Sequence, residues 1–338
     1  MSLYSLVKSL LFCFNPESAH NLAIKTLSFA PKFSNLLSNN KSYSNLQQNL
    51  FGYHFDNPIG LSAGFDKNAE AITALHGFGF GFLEVGTVTP QPQTGNSKPR
   101  LFRLPEDKAI INRFGFNNLG VDHLIKNVIE AKYKGVLGIN IGKNFDTPIE
   151  NAVDDYLICM RKVYTYASYI TVNISSPNTK NLRSLQEKEA LSHLLAALKL
   201  EQTKLAEMHS QYVPITLKIA PDLDLNQVNE IADLLMVHKI DGVIATNTTL
   251  AREAVKGMKH AEEAGGLSGA PVREKSTLVI SQLSQRLQGT LPIIGVGGIL
   301  SGADAVEKIA AGANLVQVYS GLIYKGPKLV HEVCRALG

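Results

Sequence analysis

Tyr169-Ile-Thr-Val-Asn-Ile-Ser-Ser-Pro-Asn-Thr179 is the stretch whose reading decides the fold. Residues 169–174 are apolar and β-branched with no breaker, the pattern of a buried strand. Pro177 has no N–H for a ladder and stops it. The residues around the stop are polar: Ser175, Ser176, Asn178 and Thr179. A capped turn uses the same residue types. A buried strand that ends in hydroxyls and amides is also how an α/β protein presents chemistry at the carboxyl edge of its sheet.

Working outward, seven more short apolar runs alternate with helical patterns: 59–63, 82–87, 136–141, 215–219, 242–246, 293–296 and 315–318. Helical spacing follows at 69–75, 191–209, 226–238, 273–287 and 303–311. Strand–helix alternation implies parallel pairing with right-handed crossovers. Eight strands predict an α/β fold of the closed (β/α)8 TIM-barrel type; an open doubly wound sheet is the alternative. No GxGxxG follows the first strand, which counts against the open dinucleotide-binding sheet.

Polar groups gather after nearly every strand. In chain order they are Gly64-Phe-Asp-Lys-Asn68, Thr87 and Thr89, Asn140 and Lys143, the opening stretch, Lys218, Thr246-Asn-Thr-Thr249, Gly297-Gly298 and Tyr319-Ser-Gly321. Lysines beside apolar strands call for an anionic partner. Gly297-Gly298 before Ser301-Gly-Ala-Asp304, the Tyr319-Ser-Gly321 turn and Gly266-Leu-Ser-Gly269-Ala-Pro271 together predict close backbone approach to a phosphorylated ligand.

The 338 residues suffice for one barrel with some chain to spare, at 18 % charged and 45 % hydrophobic residues. A diffuse net charge of +4 with no basic run argues against nucleic acid. Three scattered cysteines, Cys13, Cys159 and Cys334, argue against a disulfide framework, and the nine histidines show no metal-binding spacing; no metal is expected.

Residues 1–45 read as a separate segment, with the barrel domain at 46–338. Leu3, Leu6, Val7, Leu10, Leu11 and Phe14 form one apolar stripe. Asn15-Pro-Glu17 reads as a cap, a first-turn proline and a first-turn acid, opening a second helix that Pro31 ends. The segment has no run long enough to span a bilayer and no secretory cleavage pattern. Two weakly basic amphipathic helices suit either a membrane interface or packing on the domain.

Taken together, Ser62-Ala-Gly-Phe-Asp-Lys67, Val85-Gly-Thr-Val-Thr-Pro90, Arg100-Leu-Phe-Arg103, Ile111-Asn-Arg-Phe-Gly-Phe-Asn117, Asn173-Ile-Ser-Ser-Pro-Asn178, Leu217-Lys-Ile-Ala-Pro221, Ala245-Thr-Asn-Thr248, Gly266-Leu-Ser-Gly269, Gly295-Val-Gly-Gly-Ile299 and Val318-Tyr-Ser320 resemble the dihydroorotate dehydrogenase family, in order and over nearly the whole chain. The resemblance implies oxidation of (S)-dihydroorotate to orotate in de novo pyrimidine (UMP) synthesis, with one non-covalent FMN. Soluble members use a cysteine base; membrane-associated members that reduce quinone use a serine and carry an amino-terminal helical extension. Here the base position matches Ser176 and the extension is present, which implies the quinone class, with ubiquinone or menaquinone as acceptor. It also makes residues 1–45 a membrane-contacting, quinone-admitting pair of helices, placing the protein peripherally on the cytoplasmic side of a bacterial cell membrane.

Residue by residue, the resemblance assigns Ser176 as catalytic base and places Lys67, Asn112, Arg113, Phe114, Gly115, Phe116, Asn173, Asn178, Asn247 and Thr248 at the substrate. FMN contacts fall on Ala63, Gly64, Phe65, Asp66, Lys67, Thr87, Asn140, Asn173, Lys218, Thr246, Gly269, Gly298, Tyr319 and Ser320. His20, Arg103 and Tyr319 match the quinone tunnel, with Leu6, Phe12 and Phe14 as candidates for its apolar wall. The chemistry suits these assignments. Asparagine amides complement a ring of alternating N–H and C=O groups, and a lysine complements its carboxylate. A serine hydroxyl is a weak base, so it must pass its proton on, and Thr179 or an ordered water is the relay candidate. Rival readings are an FMN barrel using fumarate or NAD, a lyase with Lys67 or Lys218 as Schiff-base nucleophile, and a non-catalytic phosphate binder.

Overall fold

Eight parallel strands close into a barrel in a computed structural model that describes residues 3–31 and 43–338. The chain begins with helices α1 (Leu3–Phe12) and α2 (Pro16–Phe29). The strands then run β1 (Gln48–Leu50), β2 (Tyr53–Phe55), β3 (Ile59–Leu61), β4 (Phe82–Val88), β5 (Leu101–Leu104), β6 (Ala109–Asn112), β7 (Val136–Ile141), β8 (Tyr169–Asn173), β9 (Ile215–Ile219), β10 (Gly242–Ala245), β11 (Gly266–Gly269), β12 (Ile293–Val296) and β13 (Leu315–Val318). The barrel order is β10-β12-β13-β3-β4-β7-β8-β9, so every strand read from the sequence is a barrel stave.

Alternation along the staves explains what fills the barrel. Ile170 and Val172 of β8 face the helices, and Tyr169, Thr171 and Asn173 face the lumen. At the amino-terminal end the lumen is greasy: Phe55, Phe82, Val136, Tyr169, Ile244, Ile294 and Leu315 pack together. The β1–β2 hairpin supplies the plug, with Phe55 edge-on to Phe82 at 5.4 Å and Phe51 against Tyr169 at 5.7 Å. Gly60 and Gly138 leave room for these rings, since a Cβ would meet Phe82 at 2.4 Å and Tyr169 at 2.3 Å. Above this layer the lumen turns polar.

Helices Lys188–His209, Leu225–Val237, Arg273–Leu287 and Gly302–Ala310 cover the outside, close to the expected bounds. One expected helix starts late. Residues 69–75 become Ile72–His76, because the Asp66 carboxylate accepts the N–H groups of Glu70 and Ala71, both at 2.8 Å, and holds that stretch as a turn. Sequence reading did not anticipate the antiparallel sheet β11-β6-β5. Gly266–Gly269, read as a phosphate-approach loop, is strand β11 of that sheet, and Pro271 sits in a 3-10 turn before the helix. Lys143 is also corrected: it is buried, but its ammonium is spent on the carbonyls of Asn144 and Thr147.

The amino-terminal helices dock on this frame. Asn15 caps α2 as expected, accepting from the N–H of Glu17 at 3.0 Å. Glu17 does more than complement the helix end. It is buried, and Arg100 holds it through Nε at 3.2 Å and Nη2 at 2.8 Å, while Arg100 Nη1 donates to the carbonyls of Thr94 and Asn96. The Tyr4 hydroxyl ties α1 down by donating to the carbonyls of Leu322 and Ile323. Among the described residues no helix is long and apolar enough to cross a membrane.

Burial opposes ionisation of Glu17, but the Arg100 hydrogen bonds and the Arg100 and Lys98 charges outweigh it and hold the carboxyl below its usual 4.5. The stability this pair lends α2 is therefore complete above pH 4.5 and is lost as pH falls through the lowered value. Glu17→Gln leaves Arg100 buried without its counter-charge. Amide hydrogen exchange across α2 at neutral pH is expected to speed up at least tenfold, about 1.4 kcal/mol, and to lose its acid dependence.

Candidate active site

Loops at the carboxyl ends of the staves meet over a polar cleft of about 1030 Å³. Its walls include Lys67, Ser176 and Lys218, from the segments after β3, after β8 and within β9. Asn112, Asn173, Asn178 and Asn247 line it as well, together with Phe114, Gly115, Phe116 and Thr248. Ala63, Gly64, Thr87, Thr246, Gly269, Gly298, Tyr319 and Ser320 complete the sequence-derived set on its surface.

The remaining candidates lie elsewhere. Asn140 is fully buried beneath the cleft, where it accepts from the Thr87 hydroxyl at 2.6 Å. The Asp66 side chain caps its own loop, and burial pushes its carboxyl up to about 6. Arg113 turns outward to Glu263 at 2.7 Å and over the Phe102 ring. Phe65 faces a second, apolar cavity, edge-on to His20 at 5.4 Å and to Tyr319 at 5.9 Å.

The cleft has three chemical regions. At one end Lys67 stands over the Phe114 ring at 4.1 Å, and burial pushes its ammonium down to about 8. An arriving carboxylate would raise it again and stabilise the charged form. Beside it the amides interlock: Asn178 donates to Asn112 at 3.1 Å, and Asn247 donates to Asn173 at 3.3 Å and to Ser175 at 3.0 Å. Ser176 is buried, its hydroxyl accepting the Asn178 N–H at 3.3 Å. The neighbouring Thr179 hydroxyl is buried with no partner among the described residues.

At the other end, Gly269, Gly297, Gly298, Ser320 and Gly321 form a close-approach cradle, with Ser268 and Ser320 hydroxyls 2.9 Å apart. Gly269 sits at φ +94°, where a Cβ would come 2.2 Å from the Lys108 carbonyl. Gly298 sits at φ +75° against Arg273. Such a cradle fits a phosphate group. Between the ends, Lys218 rises from the floor next to Ser62 Oγ at 3.3 Å.

The second cavity, about 1200 Å³, lies between the two amino-terminal helices and the barrel. His20, Arg103 and Tyr319 all line it, and Tyr319 lines the polar cleft too. Burial, with help from the Lys67 charge, drives His20 down to about 3, so it stays neutral. Arg103 donates to the carbonyls of Leu11, Phe12 and Phe14 and lies 4.3 Å over the Phe12 ring. Phe12 is in the wall, whereas Leu6 and Phe14 are outside it and exposed.

Sequence reading missed Glu84, Gln317 and Arg183. Arg183 joins two of the cleft loops by donating to the carbonyls of Ser175 at 3.0 Å and Thr248 at 2.9 Å. Glu84 and Gln317 sit inside apolar strands, and a lone polar residue in such a run was the available signal.

The sequence model of the family described as dihydroorotate dehydrogenase matches residues 45–338. A dihydroorotate dehydrogenase (quinone) of Methylobacillus flagellatus is 64 % identical over 336 residues, 99 % of this chain and 100 % of the relative. One of Nitrosospira multiformis is 58 % identical, covering 99 % and 96 %. Among solved structures, DHODH from Eimeria tenella in complex with ferulenol superposes with a TM-score of 0.89 at 40 % identity, covering 95 % of this chain and 90 % of that one.

Gly269→Ala forces a Cβ into backbone at a conformation that side chains rarely adopt. It is expected to lower the unfolding free energy by about 1–3 kcal/mol, read from denaturant or thermal melts.

Proposed function

We propose a function from one premise: the chain belongs to the dihydroorotate dehydrogenase family. It oxidises dihydroorotate to orotate in pyrimidine biosynthesis and passes the electrons to a quinone. The family is flavin-dependent, and we take the flavin here to be one non-covalent FMN per chain. One observation carries the reading: Lys67, Ser176 and Lys218, far apart in sequence, border a single cleft.

The residues present suit FMN. The glycine and serine cradle around Gly269, Gly298 and Ser320 would receive its phosphate. Lys218 would stand where negative charge gathers on reduction, and Thr87, Asn173 and Thr246 would contact the ring. When bound, FMN supplies a two-electron acceptor for the hydride at C6 of the substrate. The chain's own residues do the rest. Lys67 takes the substrate carboxylate, and the asparagines take the ring amides. Ser176 removes the proton at C5. Its burial excludes water, and the unpartnered Thr179 hydroxyl is the next stop for that proton.

We read residues 1–45 as the quinone-access segment and 46–338 as the catalytic domain. Tyr319 bounds both cavities, so the apolar one lies beside the flavin position and suits a quinone ring. A neutral His20 can hydrogen-bond a quinone carbonyl. On the outer side of the helices, Leu3, Leu6, Leu10 and Phe29 are exposed, Phe29 by 79 %, with Lys25 one turn before it on the same helix. An apolar face with basic residues suits the surface of an anionic membrane, here taken as the cytoplasmic face of the cell membrane.

Ser176→Ala is expected to slow flavin reduction by dihydroorotate about 10²–10⁴-fold in stopped-flow, with bound flavin unchanged; reduction at near-native speed would remove Ser176 from the role. Leu6→Glu with Leu10→Glu is expected to abolish co-sedimentation with anionic lipid vesicles and to depress turnover with a long-chain quinone, while flavin reduction by dihydroorotate keeps its rate.

A further inference from the structure

One carboxylate lies beneath the cleft. Glu84 of β4 is fully buried, and its polar neighbours are donors. Asn140 Nδ2 donates to Oε1 at 2.8 Å. Oε2 accepts from Gln317 Nε2 at 2.8 Å, the Tyr169 hydroxyl at 3.0 Å and the Thr171 hydroxyl at 3.2 Å. Lys218 Nζ lies 3.9 Å from Oε1. A carboxyl group that receives four hydrogen bonds and faces an ammonium fits the ionised form, which only accepts.

The dependence also runs the other way. Burial pushes the Lys218 ammonium down, and Glu84 is the charge that opposes this. Its side-chain hydrogen-bond partner among the described residues is the neutral Ser62 hydroxyl.

We propose that Glu84 is a positioning residue for the reaction: it keeps Lys218 charged and fixed against the bound flavin, and it sets the hydrogen-bond sense of the amides that face the cleft. The proposal deepens the FMN reading and rests on it. Because a carboxylate offers no proton, Asn140 turns its Nδ2 to Glu84 and its Oδ1 to the Thr87 hydroxyl, 2.6 Å away. The Thr87 oxygen then accepts from Asn173 Nδ2 at 3.0 Å, and Asn173 Oδ1 accepts from Asn247 Nδ2 at 3.3 Å. One buried charge thus orients a chain of amides out to the substrate end.

Gln317 supplies an independent sign that this floor is built for a ligand. Its Nε2 is committed to Glu84, and its Oε1 is buried without a partner among the described residues, at a residue that lines the cleft. An orphaned buried acceptor costs stability until a donor arrives, and a ligand N–H would be that donor.

The test is the midpoint potential of the bound flavin, measured by equilibrium dye-linked titration in the full-length protein. Glu84→Gln is expected to lower it, because Lys218 left alone in a buried site gives up its proton. The expected size is at least about tenfold in the reduced-to-oxidised ratio, about 30 mV for a two-electron couple. Lys218→Met is expected to lower it at least as much, because Glu84 then stands without its cation, and the double variant is expected to go no lower than Lys218→Met. Tyr169→Phe, which removes a donor but no charge, is expected to leave it in place. Exchanging the two groups, Glu84→Gln with Gln317→Glu, returns a carboxylate to the cluster and is expected to restore the potential; it also serves if Glu84→Gln alone does not fold. An unchanged or raised potential in Glu84→Gln, additive single effects, or an exchanged variant that binds flavin but stays low each overturns the proposal. A yellow wild type with any of these results sinks this proposal alone, whereas a wild type that cannot bind FMN sinks the FMN reading with it.

Discussion

Closure of the barrel imposes the constraint from which the rest follows. Each stave is buried on both faces, by helices outside and by the other staves inside, so each backbone hydrogen bond must be met within the ring. Side chains then alternate between an outer apolar shell and a narrow lumen. The lumen cannot be hollow at the bottom, and the Phe55, Phe82 and Tyr169 rings fill it. It need not be apolar higher up, provided polar groups find partners, and there Glu84 gathers Asn140, Thr171, Lys218 and Gln317, Thr171 meets Thr216, and Gln317 Oε1 alone of that amide is left without a partner among the described residues. The floor of the cleft is therefore a layer of the core, rigid for the same reason that the core is.

The amino-terminal helices obey a different rule. No residue of α1 is fully buried, and the helix is held by directed contacts from Tyr4, Lys8 and Arg103 together with Phe12 packed edge-on against Tyr324. α2 is anchored harder, by Glu17 on Arg100 and by burial of Ile24 and Leu27. The space between the helices and the barrel stays open as an apolar cavity because the helices touch the frame at their edges. Tyr319 closes that cavity on one side and the polar cleft on the other. A wall one side chain thick between a wet cleft and a greasy one suits an enzyme that takes electrons from a polar substrate and gives them to a lipid-soluble one.

The staves were legible because outward residues such as Ile170, Val172, Leu217 and Ile219 fall in short β-branched and apolar stretches bounded by turn residues. The long helices were legible from their period, and the cleft residues from polarity after strand ends. The antiparallel sheet was not. Its strands are four residues each, and Gly266–Gly269 carries two glycines, so local pattern favoured a turn until pairing with Ala109–Asn112 overrode it. Lys143 misled for a related reason: its position after a stave was right, but only the structure reveals that its ammonium serves two loop carbonyls. The stripe on α1 was read as one surface. The fold splits it, turning Val7 and Leu11 to the cavity and leaving Leu3, Leu6 and Leu10 outside. Which half of an amphipathic stripe faces a partner depends on the docking angle, which the sequence does not encode locally.

The two cleft lysines show why charge placement matters more than charge count. Lys218 has a counter-ion of its own in Glu84, built into the floor. That counter-charge is present whether or not anything is bound above it, and it opposes the burial that pushes the ammonium down, which suits a resident cofactor whose own charge changes with redox state. Lys67 has no carboxylate within ion-pair distance among the described residues, and its ammonium is pushed down to about 8. Whatever anion arrives raises it again, so binding and protonation are linked there. A site that must exchange its ligand at every turnover gains from such a dependence, because an anionic substrate and an anionic product are each held only while present. If Lys67 carried a built-in partner like Glu84, the substrate carboxylate would meet a neutral pair and lose most of its reason to bind.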